Sequence, residues 1–193
     1  MYGKGMKSKL NKQSWLEHGL SELSQHGSDA LKADRLAKSL KVTRGSFYWH
    51  FADLGDFHEH LLAYWQEMVT QQVIAEIELL HDSRSKVRAL VHQAFVADVS
   101  LERAIRSWSA QNQMVSNATQ FVDHKRINYL TTLLVGEGMS SATAKARAAF
   151  LYWAYLGQAM TLASYSEYLS DDALNQIIDL FLTPSSETST AKT

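Results

Sequence analysis

The sequence predicts an all-α protein: a compact three-helix N-terminal domain joined by one long helix to a larger helical bundle. Three observations predict it. Apolar residues recur at helical spacing almost throughout, no long stretch alternates apolar and polar residues, and one proline in 193 residues leaves long helices unbroken. With 46% apolar and 20% charged residues, the chain has material for a substantial core. Its length suits a small module fused to a larger one.

The elements follow in order. Ser14 and Glu17 have capping-box spacing, and Trp15, Leu16, Gly19, Leu20 and Leu23 supply an apolar stripe that ends near Gly27, a natural left-handed terminator. A second helix is expected from Lys32 to Leu40, burying Ala33, Leu36, Ala37 and Leu40. Thr43 then suits the cap of a third helix running through Phe51, with Val42, Phe47 and Phe51 facing inward. From Asp53 to Leu80 the pattern is one long helix carrying Phe57, Leu61, Leu62, Trp65, Met68, Val69, Val73 and Ile77. Further helices are expected at 84–98, 101–112, 116–135, 141–166 and 171–182, and the tail after Pro184 is polar enough to be disordered. The expected domains are therefore 8–54 and 55–183, with 184–193 as tail.

The formal charge of −1 conceals an asymmetry. Residues 1–50 hold nine Lys/Arg against four Asp/Glu, and the remainder holds ten against sixteen. A basic leading segment on an acidic body suggests a polyanion partner for that segment alone; an ordinary solvated face is the plainer reading of charge by itself. The absence of cysteine excludes disulfides, thiolate metal sites and cysteine nucleophiles, and fits a reducing, cytoplasmic setting. The start, MYGKGMKSK, lacks the apolar core of a secretory signal. Nineteen uncharged residues separate Arg147 from Glu167, but Gln158, Thr161, Ser164, Ser166 and three tyrosines among them favour a helix buried on two sides within protein over a membrane span.

The informative stretch is Asp34–Phe51, DRLAKSLKVTRGSFYWHF. A helix enters a DNA major groove only if one face docks on its own domain while the other offers donors and small residues. Phe47 and Phe51 meet the first condition. Thr43, Arg44, Gly45, Ser46, Tyr48, Trp49 and His50 meet the second, with Gly45 permitting close approach. Arg44 is the candidate for bidentate guanine contact, Ser46 and Trp49 for base edges or thymine methyls, and Thr43, Tyr48 and His50 for phosphates. Lys32 and Lys38, with Lys4, Lys7, Lys9 and Lys12, would add sequence-blind attraction. For any one of these positions, packing or plain solvation is the competing reading.

Leu36-Ala37 followed by Val42 through Phe51, ending Tyr48-Trp49-His50-Phe51, resembles the helix-turn-helix signature of the tetracycline-repressor (TetR) family. The similarity reaches back through Trp15-Leu16, Gly19-Leu20, Leu23 and Gly27, about a quarter of the chain in all. Arg103–Trp108 and Val122–Arg126 resemble, more weakly, segments of the family's effector domains. Departures occur at Lys41, where the turn usually has glycine, at Leu31, where a Ser/Thr cap is usual, and at Leu54, which replaces a phosphate-binding lysine. The resemblance implies a homodimeric repressor that binds an inverted-repeat operator in double-stranded DNA and is released when a small ligand shifts the separation of its two reading heads.

His92, Phe95, Trp108, Gln111, Phe121, Tyr152, Trp153 and Met160 are candidates to enclose a small apolar or aromatic effector; aromatic residues at this spacing are equally core. The last two helices have surplus apolar surface, so Tyr155, Leu162, Leu174, Ile177, Ile178 and Phe181 are candidates for a four-helix interface between two copies. Asp56, His58 and His60 invite a metal reading, but two ligands on one face do not make a site. No phosphate loop, nucleophile elbow or metalloprotease pattern appears, so neither enzyme nor cofactor is expected. The alternative function is a helical interaction module without specific operator recognition.

Overall fold

The computed structural model describes residues 10–161 and 169–183. The helices are α1 (Lys12–His26), α2 (Ala33–Ser39), α3 (Arg44–Tyr48), α4 (Leu54–Gln66), α5 (Val73–Glu78), α6 (Ser83–Val96), α7 (Ser100–Ser109), α8 (Gln113–Gly136), α9 (Ser141–Met160) and α10 (Asp171–Leu182). The described residues form two compact units, one from residues up to 67 with 100–119, the other from 68–99 and 120 onward. The fold is all-α, as the periodicity predicts.

In the first unit, α1 begins earlier than its capping box suggests. Asn11 is the cap, its Oδ1 accepting the Ser14 N–H at 2.8 Å, and Gly27 closes the helix at φ 72° with its N–H on Leu23 O. The apolar stripe of α1 is buried as expected. At Gly19 an added Cβ would lie 2.8 Å from Phe57 Cζ and 3.0 Å from a Leu61 methyl, so α1 and α4 pack this closely because no side chain intervenes. Asp53 and Asp56 cap α4 reciprocally: Asp53 Oδ1 accepts from Asp56 N and Asp56 Oδ2 from Ala52 N, both at 2.8 Å. The unit also takes in α7, which lies against α1 and buries Glu102, Ile105 and Trp108. Glu102 is ion-paired with Arg106 at 2.8 Å, which supplies the charge that a buried carboxylate needs.

The turn between α2 and α3 shows how Lys41 replaces a glycine. Val42 N–H bonds Ala37 O at 2.9 Å and Lys41 N–H bonds Lys38 O at 3.1 Å, the paired pattern of a Schellman ending, with Lys41 at φ 57° in the left-handed position. The turn geometry is thus kept and the side chain bears the strain. The third helix is shorter than expected, ending at Tyr48, and Thr43 caps it without a side-chain hydrogen bond.

The expected long helix is continuous from Leu54 to Glu78 but not α-helical throughout. Between α4 and α5 the segment Glu67–Gln72 is π-helical, so the hydrophobic stripe changes register there. The core of the second unit joins Val87 and Val91 of α6, Leu130, Leu133 and Leu134 of α8, Met139, Ala144, Ala148 and Leu151 of or beside α9, and Leu174, Ile178 and Leu182 of α10. Arg147 finishes α10 by donating to the carbonyls of Phe181 and Thr183 at 2.8 and 2.6 Å.

Two substitutions test this packing by urea unfolding. Gly19→Val should destabilise by about 1–3 kcal/mol, because Phe57 and Leu61 are fully buried and have nowhere to move. Lys41→Gly should stabilise by roughly 0.5–1 kcal/mol, relieving the left-handed strain less glycine's entropy loss.

Candidate nucleic-acid interface

The third helix has two sharply different sides. Phe47 and Phe51 are fully buried, Phe47 meeting Trp15 edge-on at 5.5 Å and lying 5.1 and 5.3 Å from Phe51 and Phe57. On the other side Trp49 is 88% exposed and Tyr48 45% exposed. Thr43, Arg44 and Gly45 are also exposed, and Ser46 and His50 are half-buried. A Cβ on Gly45 would meet only Thr43 Oγ1, at 3.8 Å, so the backbone there is open to close approach.

The donors are partly arranged in advance. Arg44 Nε lies 3.3 Å from Asp34 Oδ1 on α2, its Nη2 donates to Tyr48 Oη at 3.1 Å, and the guanidinium sits 5.5 Å from the Tyr48 ring centre. The Tyr48 bond first, and then Asp34, hold the Arg44 pKa above its usual value. Lys32 pairs with Asp29 at 3.0 Å, and Lys38 is exposed one turn beyond Asp34. Leu31, in place of a capping residue, is buried in the core, and α2 starts at Lys32 without a side-chain cap. Lys4, Lys7 and Lys9 lie outside the described residues; Lys12 is 2.7 Å from His60 Nε2 and 5.2 Å from the Phe51 ring centre.

Residues 16–53, which hold α2, the turn and α3 with most of α1, match the family model for bacterial regulatory proteins of the tetR family. The family likeness is shown for those residues. Over 73 residues it is 32% identical to the HTH-type transcriptional regulator AcrR of Shigella flexneri, a match covering 38% of this chain and 32% of that protein, so about a third of that relative's length. Solved structures extend the likeness in fold. A transcriptional regulator from Rhodococcus sp. Rha1 superposes with a TM-score of 0.69 at 15% identity, over 90% of this chain and 94% of that one. The fatty acid degradation regulator FadR from Bacillus halodurans gives 0.63 at 15% identity, over 89% and 98%.

Beyond the tetR-family head, the candidate effector residues do not gather in one unit. Trp108 and Gln111 belong to the first, Trp108 buried there and Gln111 exposed. His92, Phe95, Phe121, Tyr152, Trp153 and Met160 belong to the second. Of these, Tyr152 is buried with its hydroxyl on Asp123 at 2.7 Å, His92 is 3.6 Å from Asp171, and Phe121, Trp153 and Met160 are exposed. Residues absent from that set are drawn together here. Arg126 lies over the Tyr155 ring at 5.7 Å and donates to Val69 O in the π segment, and Gln158 donates to Phe95 O at 2.9 Å while its buried Oε1 has no partner. Glycine-poor helical periodicity gives no sign of a π turn, so the contact between Arg126 and Val69 was not readable from spacing.

Among the interface candidates, Leu174 and Ile178 require correction. Both are buried in the second unit's own core, because α10 turns its i, i+4 stripe toward α6 and α9. Tyr155, Ile177 and Phe181 are half-buried, and Leu162 lies outside the described residues. Apolar surface is left outside on α9, where Phe150 is 59% exposed and Trp153 65%, with Met160 two turns on and Gly157 facing open space. Phe181 stacks on Phe150 at 5.7 Å.

The Asp56, His58 and His60 trio is split. His60 Nδ1 sits 2.9 Å from Asp56 Oδ1 and its Nε2 faces Lys12. His58 instead meets Trp108 edge-on at 4.9 Å and is hydrogen-bonded to the Leu31 backbone, with Nε2 buried and unpartnered. Among the described residues no three His, Cys, Asp or Glu side chains converge as a metal would need.

Burial lowers the His58 pKa, and the Leu31 bond opposes this only in part. The folded state therefore binds its proton more weakly than the unfolded chain does. Stability from neutral His58 is complete above about pH 6.5 and declines as pH falls toward the depressed folded value. The urea midpoint should drop between about pH 7 and about pH 5, and His58→Gln should flatten that part of the profile.

Proposed function

We propose that this tetR-family chain is a repressor that binds an inverted-repeat operator as a homodimer and lets go when a small apolar or aromatic molecule occupies its second unit. The observation that carries the DNA-reading part is the two-sided α3: its inner edge is locked into an aromatic core while Arg44, Ser46, Tyr48 and Trp49 face outward on a basic head. An indole as exposed as Trp49 would be an odd expense on a surface without a partner. Thr43, Tyr48 and His50, with Lys32 and Lys38, fit phosphate contacts.

Support for two-fold assembly comes from α9. Phe150, Trp153 and Met160 form an apolar stripe at helical spacing with Ala146, Ala149, Ala154 and Gly157, small enough to let a second helix approach. Phe181 of α10 stacks on Phe150 at the edge of that surface, whereas Tyr155 is on the opposite face of α9 with Tyr152 and Arg126. The effector reading is supported by the unpartnered Gln158 Oε1 and the nearby Tyr152 and Tyr155, which offer polar handles beside aromatic faces. A coupling of about 1–3 kcal/mol between effector and operator would weaken operator binding severalfold to over a hundredfold. No described helix is long and apolar enough to cross a membrane, and we place the protein with its DNA in the cytoplasm.

Selection of bound duplexes from a random pool should return an inverted repeat; a pool that converges on nothing at low salt would sink the regulator reading. Arg44→Ala should relax preference at one base pair per half-site, whereas Lys38→Ala should weaken all duplexes about equally and reduce the salt slope by about one unit. Phe150→Glu with Trp153→Glu should give a monomer in sedimentation and lower operator affinity by roughly 100-fold; an unchanged dimer would move the interface elsewhere.

A further inference from the structure

We infer that Asp34 is the specificity-setting partner of Arg44: it orients the guanidinium for a guanine and at the same time penalises binding to DNA that offers none. This rests on the proposed DNA-reading role of α3. The geometry is uneven in an informative way. A guanidinium has five N–H donors, one on Nε and two on each terminal nitrogen. Here Asp34 engages Nε and Tyr48 takes one donor of Nη2. Both hydrogens of Nη1 and one of Nη2 stay available, so the end of the fork can still present two parallel donors. Guanine O6 and N7 require that pair.

Asp34 comes from a different helix than the arginine it holds. It stands in the first turn of α2, across the turn from Arg44 at the first position of α3, and both side chains are mostly in water. An exposed pair of this kind adds little to stability. Its effect falls instead on where the arginine points and on the charge met by an approaching duplex. A carboxylate in the basic face of a DNA-reading head repels phosphate on every sequence, and that repulsion is offset only where Arg44 finds its base. Tyr48 engages the neighbouring Nη2 from α3 itself, so the side chain is held by an acid on α2 and a ring on α3.

The two effects have opposite signs, which separates them from a purely structural role. Wild type, Asp34→Asn, Asp34→Glu, Arg44→Ala and the Asp34→Asn/Arg44→Ala double variant are each taken through random-pool selection, then titrated on the selected duplex, on the same duplex with the critical guanine replaced by 7-deazaguanine, and on random duplex. Wild type should prefer guanine over its 7-deaza analogue by roughly 5- to 150-fold. Asp34→Asn should bind random duplex more tightly than wild type yet lose most of that preference. Asp34→Glu keeps the charge but displaces it, so preference should fall while random-duplex affinity stays near wild type. In the double variant the asparagine should add no further loss of preference to that of Arg44→Ala. Urea unfolding of Asp34→Asn should match wild type, which shows that the head is intact. Asp34→Asn with undiminished guanine preference overturns the inference and leaves the regulator reading standing, as does a loss at a base pair other than the one governed by Arg44. A wild-type pool that enriches no sequence overturns both.

Discussion

The N-terminal head depends on the grip that Trp15, Phe51 and Phe57 exert on Phe47. Five residues of α3 form little more than one turn, far below the length at which a helix persists unaided in water. What keeps it helical is the insertion of one aromatic ring into a cluster of others drawn from α1, the end of the turn and α4. Burial of a side chain this size contributes about 1.5–3 kcal/mol toward the ordering of the segment. Because the anchor is on one edge only, the opposite edge is held rigidly without being covered. Gly19 belongs to the same device, since the approach of α1 to α4 brings Trp15 and Phe57 within reach of Phe47.

Electrostatics then differentiates the uncovered edge. A bare cluster of lysines and arginines would bind any duplex, and the head instead interleaves acids: Asp29 with Lys32, and Asp34 with Arg44. These pairs are exposed and weak, so they yield readily to a competing phosphate or base. Lys41 takes the left-handed position and the two bonds to Ala37 and Lys38 carbonyls hold it there.

Much of the head was legible in the sequence because its determinants are local. The stripe Trp15, Leu16, Leu20 and Leu23, the ending at Gly27 and the inward Phe47 and Phe51 each follow from spacing, and a departure such as Lys41 is visible against a familiar turn. What spacing could not give was long-range. That α7 shares a unit with the head depends on Ile105 and Trp108 finding α1 and His58 some fifty residues or more away in sequence. The π segment at Glu67–Gln72 leaves no mark in an apolar pattern that tolerates either register. On α10, Leu174 and Ile178 carried the right periodicity for an interface but for a core as well; only the packing of α6 and α9 decides which face turns in. Asn11 outcompetes Ser14 as the α1 cap because its side chain reaches the Ser14 amide directly.

The uneven burial of the five tryptophans has an optical consequence. Trp15, Trp65 and Trp108 are enclosed, whereas Trp49 and Trp153 stand in water, one in each unit. Enclosed indoles emit at shorter wavelength and resist collisional quenchers, while wetted ones do neither. The chain thus holds a native reporter in each unit: whatever covers Trp49 or Trp153 would shield that indole from acrylamide, and neither surface needs a dye to be watched.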